Sequence, residues 1–97
     1  MQENAENTTV VHNKAADRFE IQAGEHLAVL EYEMQGGVMI FTHTGVPEAI
    51  EGQGMASRMA KVALEYAREQ SYKVIPACEF MHVYIRRHPE YKPLVQR

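Results

Sequence analysis

Hydrophobic and polar positions fall into two regimes along this chain. Through residues 18–44 they alternate, and beyond residue 55 they recur at helical spacing. Arg18-Phe19-Glu20-Ile21-Gln22 puts Phe19 and Ile21 on one face, which predicts a strand. Ala23-Gly24-Glu25 is turn chemistry. Residues 26–34 alternate again, with Ala28, Leu30, Tyr32 and Met34 on one side. Leu27 and Val29, then Glu31 and Glu33, occupy the other side, so that face is covered at its start and solvated at its end. Gln35-Gly36-Gly37 predicts a hairpin turn. Residues 38–44 are apolar on both faces, which predicts a central strand. Residues 10–14 are a short extended candidate. The polar, aperiodic start of the chain, residues 1–9, is expected to be a disordered tail, leaving a single domain over residues 10–97.

After Gly52-Gln53-Gly54 the period changes. Met55, Met59, Val62, Ala63 and Tyr66 mark one face of a helix over residues 55–70, backed by Ala56, Ala60 and Ala67. Lys73-Val74-Ile75-Pro76-Ala77 predicts a short strand. Pro76 cannot donate to a ladder, so that strand is an edge or splays from its neighbour there. Phe80, Val83, Tyr84 and Arg87 mark a second helix over residues 78–87, which Pro89 stops. Tyr91, Leu94 and Val95 are positioned to pack back. The fold class is α+β: three antiparallel strands followed by a β-α-β-α unit, with the strand–helix–strand step expected to be a right-handed parallel crossover.

Composition narrows the function. Ten Lys+Arg against 13 Asp+Glu give a formal charge of −3, which supplies no electrostatic footprint for nucleic acid. No apolar stretch approaches the ~20 residues of a membrane helix, and no charged and apolar leader opens the chain. One cysteine makes no internal disulfide and no structural zinc site by itself, so no metal is expected. These features predict a protein of a reducing compartment, the cytoplasm. An edge strand in so small a domain allows either a monomer or a weak homodimer.

The chemistry concentrates in the connection Val46-Pro47-Glu48-Ala49-Ile50-Glu51-Gly52-Gln53-Gly54-Met55-Ala56. Two glycines spaced by one residue before a helix expose successive backbone N–H groups. The helix start adds about half a positive charge. Such a turn holds a phosphate or diphosphate without a lysine. It is equally a tight turn that begins a helix. A P-loop is excluded, because no Gly-Lys-Ser/Thr follows. A dinucleotide fingerprint fits poorly, because the third glycine is missing and the preceding strands are antiparallel.

The run Glu51-Gly52-Gln53-Gly54-Met55-Ala56 resembles the acyl-CoA loop of the GNAT N-acetyltransferase superfamily, a Gln/Arg-x-x-Gly-x-Gly/Ala pattern. Gly54 and Ala56 match, and Glu51 stands where Gln or Arg is usual. Ile75-Pro76-Ala77-Cys78-Glu79-Phe80, with Tyr84-Ile85-Arg86-Arg87-His88-Pro89-Glu90-Tyr91, resembles the small single-domain branch that carries a cysteine after its last strand. The resemblance spans roughly residues 18–95. It implies a sheet splayed between two parallel strands, with acetyl-CoA as co-substrate. It implies that His43, Thr44, Gly45 and Val46 offer backbone to pantetheine. Glu51, Gly52, Gln53, Gly54, Met55 and Ala56 would offer N–H groups to phosphate. So short a chain lacks the two helices that wall the acceptor site in larger members. The groove should be open to an amine on a protein or peptide, or to a small polyamine.

Cys78 follows a strand and opens a helix, where the dipole favours thiolate. By the resemblance it lies near the thioester. It would carry the acetyl group as a nucleophile or line the acyl pocket. Direct attack by the amine is the usual superfamily route. His43 is then the base or simply a strand-end histidine, and Tyr84 is the acid that protonates the CoA thiolate or a core ring. Glu79 is either an alternative base or, as expected here, a residue that caps the helix start through the dipole. His82 shares a helix face with Cys78. Arg86, Arg87 and His88 either reach a CoA phosphate, the role assigned to Arg87, or complement the helix C-terminus. The runner-up is a non-catalytic CoA-binding or protein-interaction module.

Overall fold

The computed structural model describes residues 9–96. Five strands, β1 (Val11–Asn13), β2 (Arg18–Ala23), β3 (His26–Gln35), β4 (Val38–Gly45) and β5 (Lys73–Pro76), form one sheet in chain order. The first four are antiparallel, and β5 runs parallel to β4. Helix α1 (Met55–Glu69) joins β4 to β5, and α2 (Glu79–Arg87) follows. The α+β class and the β-α-β-α unit are as expected. The extended candidate at residues 10–14 becomes β1, so the meander has one strand more than the alternation alone predicts. Most of the expected tail, residues 1–8, lies outside the described residues.

Local chemistry sets these elements. Gly36 and Gly37 both take positive φ, 53° and 83°, so the β3–β4 turn matches the twist of its strands. Asn13 ends β1 by accepting from the Ala16 N–H at 3.2 Å, while its amide donates to Glu20 at 2.9 Å. Pro89 ends α2 at Arg87 and opens a 3-10 segment, Pro89–Leu94. Beyond it, Val95 bridges Val74 and the Gln96 N–H donates to the Val74 carbonyl at 2.9 Å. The far side of β5 is therefore partly covered, while among the described residues none pairs with the outer side of β1, where Val11 is 52% exposed.

One face of the sheet carries the core: Phe19, Ile21, Ala28, Leu30, Met39, Phe41 and Val74 have no exposed surface. Helix α1 buries Met55, Met59, Ala60, Ala63, Leu64 and Ala67 against it. The stripe is rotated from the expected one. Val62 sits at its border, 39% exposed, and Leu64 takes the buried place. The alanines explain the rotation, because small side chains let the helix lie on the sheet along the Ala60–Ala63–Ala67 line. In α2 the buried positions are Met81, Tyr84 and Ile85, with Phe80 and Val83 half-buried.

His12 closes the β1 end of the core. Its ring stacks on Phe19 at 4.1 Å, meets Tyr66 edge-on at 4.5 Å, and pairs through Nε2 with the Tyr32 hydroxyl at 2.6 Å. Burial lowers its pKa below the usual histidine value, Lys14 adds to this, and Asp17 opposes it. The folded state thus prefers the neutral ring. Below the ordinary histidine pKa the unfolded chain binds more protons than the folded one, so stability falls as pH drops through that range. The urea midpoint should fall more between pH 7.5 and pH 5.5 in the native protein than in His12→Gln. Equal falls in the two proteins would contradict this.

Candidate active site

The site begins where two strands part company. β4 pairs with β3 as far as Gly45, opposite Val29, but with β5 only as far as Phe41, opposite Pro76. Residues 43–45 are therefore paired on one side only, and Thr42 is paired on neither. The cause lies in β5. Pro76 has no N–H to donate, the Ala77 N–H turns back to the Ile75 carbonyl at 3.0 Å, and the Cys78 N–H takes the Phe41 carbonyl at 3.0 Å. The chain then leaves the sheet and enters α2.

β4 is also irregular there. Glu31 faces His43 and the next residue, Tyr32, faces Phe41, so Thr42 is an extra residue, a β-bulge. Its hydroxyl donates to the Glu31 carbonyl at 3.3 Å. The bulge resets the alternation. Thr44 lies opposite Leu30 and shares its core side, whereas His43 lies opposite Glu31 on the outer face. Gly45 shares that outer face: a Cβ there would stand 3.0 Å from His43 Nε2 and 3.5 Å from Val29 Cγ2.

The glycine turn completes the arrangement. Gly52 and Gly54 adopt φ of 82° and 77°, the left-handed region where a side chain is strained but space is free, since an added Cβ would meet nothing within 4 Å. Gly54 is the N-cap of α1, no side chain caps that end, and no acidic residue lies in its first turn. The first helical bond is the Arg58 N–H to the Gly54 carbonyl at 3.1 Å. The amides of Met55, Ala56 and Ser57 thus have no intrahelical acceptor, at the positive end of a 15-residue helix. A cleft of ≈ 430 Å³ opens over them.

Of the residues assigned to the acyl-CoA loop and strand end, Val46, Glu51, Gly52, Gly54, Met55 and Ala56 line this cleft. Gln53 is exposed in the turn and does not line it, and Glu51 is on its exposed rim. Ile50, Ser57 and Phe80 also line it and were missed. Ser57 carried a signal, a hydroxyl in the first turn of a helix after glycines. Phe80 carried none, because it comes from α2 and only the fold brings it across.

Cys78 is the N-cap of α2 and half-buried, and its side chain makes no cap bond. Its Sγ is 3.3 Å from Thr44 Oγ1, across the gap between the strands. Thr44 and Cys78 are thus brought together, while the His43 side chain is on the other face of β4. Glu79 is exposed in the first turn of α2. His82 is exposed and meets Cys78 through the backbone, its N–H donating to the Cys78 carbonyl at 3.1 Å. Tyr84 is 7% exposed, stacked on His88 at 4.0 Å and beside Phe80 and Tyr91. Burial raises its hydroxyl pKa, and the carboxylates of Glu90 and Glu65 add to this, so it stays protonated at neutral pH. Arg87 is exposed in the last turn, one helix length (about 13 Å) from Cys78. Among the described residues no three His, Cys, Asp or Glu side chains cluster to hold a metal, and no helix is long and apolar enough to cross a membrane.

Comparison with known proteins agrees with this geometry. The sequence profile of the GCN5-related N-acetyl-transferase family matches residues 18–94. Protein NATD1 of Mus musculus is 34% identical over 83 residues, covering 82% of this chain and 76% of that protein. Protein NATD1 of Danio rerio is 34% identical over 87 residues, covering 84% and 79%. The solution structure of a GCN5-like protein from Staphylococcus aureus superposes with a TM-score of 0.74 at 26% identity, over 93% of this chain and 89% of the other. The splayed strands, the glycine turn and the alignment along most of the sequence lead to one assignment: the chain belongs to the GCN5-related N-acetyltransferase family.

Proposed function

We propose that this protein moves an acetyl group from acetyl-CoA to an exposed primary amine, on a protein or peptide or on a small polyamine, by way of Cys78. The observation that carries this reading is the one-sided edge of β4 at residues 43–45, with the uncapped start of α1 at one end and the Cys78 sulfur beside it. The edge offers main-chain groups of His43, Thr44, Gly45 and Val46 to the amides of pantetheine. The amides at Gly54, Met55 and Ala56 suit the diphosphate. Ser57 adds a hydroxyl to that set. The acceptor side is the outer face of the sheet, which no helix of the described residues covers.

In the first step the Cys78 sulfur bonds to the acetyl carbon, and the bond from that carbon to the CoA sulfur breaks. Cys78 gives its proton to water beforehand, and CoA leaves as the thiolate and takes a proton back from water. For the second step His43 removes one proton from the incoming ammonium. The amine nitrogen then bonds to the acetyl carbon, the bond to Cys78 breaks, and the second nitrogen proton returns to the Cys78 sulfur. Tyr84 is left as a packing residue in this scheme, buried against His88, Phe80 and Tyr91. A reactive free thiol fits a reducing compartment, the cytoplasm.

Mass spectrometry of the protein mixed with acetyl-CoA tests this. One acetyl group should appear on Cys78 and disappear when a polyamine or lysine peptide is added. Product formed at full rate without any adduct would mean direct attack by the amine. Binding of acetyl-CoA with neither adduct nor product would favour a CoA-binding module, a reading that the acidic Glu51 at the cleft rim supports. The loop has its own test. Gly54→Val should weaken CoA binding at least about tenfold and cost about 1–2 kcal/mol in stability, the strain of a left-handed residue. An unchanged dissociation constant by calorimetry would remove the turn from the site.

A further inference from the structure

We infer that Thr44 is a positioning residue for the thiol: its hydroxyl holds the Cys78 sulfur at the open edge of β4 and donates to that sulfur when it ionises. The inference deepens the reading of Cys78 as acetyl carrier and rests on it for its role in the reaction, though not for its test. The first support is the bulge at Thr42. Without that extra residue, strict alternation from Phe41 would place the His43 side chain on the core side, next to Cys78, and turn Thr44 outward. With it, the hydroxyl reaches the sulfur at 3.3 Å and the imidazole faces the acceptor side.

The second support is the chemistry of the pair. A neutral thiol and a hydroxyl can each donate to the other. A thiolate has no proton, so only the Thr44 hydroxyl can then donate, and the bond becomes charge-assisted. The bond thus favours the reactive form. Other titratable neighbours do not take this place. Glu79 and His82 on α2 are exposed, and the His43 ring lies across β4. Cys78 N-caps α2 without a side-chain cap bond, so the sulfur is left to Thr44.

The chain has one cysteine, so alkylation by iodoacetamide reports this thiol alone. Thr44→Val keeps the shape and removes the hydroxyl; Thr44→Ser keeps the hydroxyl and removes the methyl. At pH 7 alkylation of Thr44→Val should be about threefold slower. The loss of a donor to the ionised sulfur is offset in part by the higher nucleophilicity of a thiolate that accepts no hydrogen bond. The midpoint of its rate–pH profile should move upward, and well above that midpoint Thr44→Val, with the more nucleophilic thiolate, should react about threefold faster than the native protein. Thr44→Ser should follow the native profile. If Thr44→Val and the native protein share one profile, or if Thr44→Ser is the slower variant, the inference is wrong. These readouts need no acetyl-CoA. A missing acetyl adduct with an altered Thr44→Val profile would overturn the carrier reading and leave the pair standing; an adduct with unaltered profiles would do the reverse.

Discussion

Cys78→Ala should bind CoA with unchanged affinity and transfer acetyl to amines at least about a hundredfold more slowly, well inside the losses that follow deletion of a nucleophile. The two halves of this result have separate causes. On the proposed reading, affinity comes from main-chain groups along residues 42–46 and at the start of α1, none of which the substitution touches. On the same reading, rate comes from the sulfur, which would divide one acyl transfer into two easier steps. The Cys78 N–H still reaches the Phe41 carbonyl in the variant, so the start of α2 keeps its place. Steady-state kinetics with a polyamine, alongside calorimetry with CoA, give both halves. Turnover within a few-fold of the native rate would mean that the amine attacks the thioester itself and that Cys78 only lines the pocket. A joint loss of binding and rate would mean that the side chain holds the cleft in shape.

Phe41→Ala should cost about 3–5 kcal/mol, the range for truncating a buried phenylalanine. The ring has no exposed surface and sits where β4 is flanked by Tyr32 on β3 and Pro76 on β5. A small domain has about 5–15 kcal/mol in all, so this loss removes much of its margin. At about 4–8 °C per kcal/mol for a domain of this size, the melting temperature should drop by roughly 12 °C or more. Calorimetric melting measures it. A drop under about 5 °C would show that the ring is not seated in the core as described. Phe41→Leu keeps most of the volume and should lose well under half as much.

Much of the architecture was legible because alternation and helical period follow from burial on one face. Phe19, Ile21, Ala28, Leu30 and Tyr32 pointed to the core before any contact was known. Pro76 marked the place where β5 leaves β4, since a missing donor is visible in the sequence itself. Three features were not legible. The bulge at Thr42 depends on how β3 and β4 register, and local pattern holds no trace of it. That is why strand position alone gave no hint that Thr44, and not His43, would meet the thiol. The exchange of Val62 for Leu64 depends on how closely the alanines let α1 approach. Phe80 reaches the cleft from an element 24 residues after Ala56, and only the packing of α2 joins them. The residues of the candidate site were nameable because its turn and strand end are contiguous in sequence; their partners across the fold were not.

A proline that cannot donate and a helix that turns away leave the wedge between β4 and β5 as a covalent property of the chain. Nothing has to swing aside for a ligand arm to lie there. Association should then proceed as simple docking into a ready slot, with a rate linear in ligand concentration and no slow opening phase. The main-chain groups along residues 42–45 meet water when the slot is empty, so an entering arm exchanges one set of hydrogen bonds for another. On the proposed reading its net gain would come chiefly from released water and from the diphosphate at the start of α1.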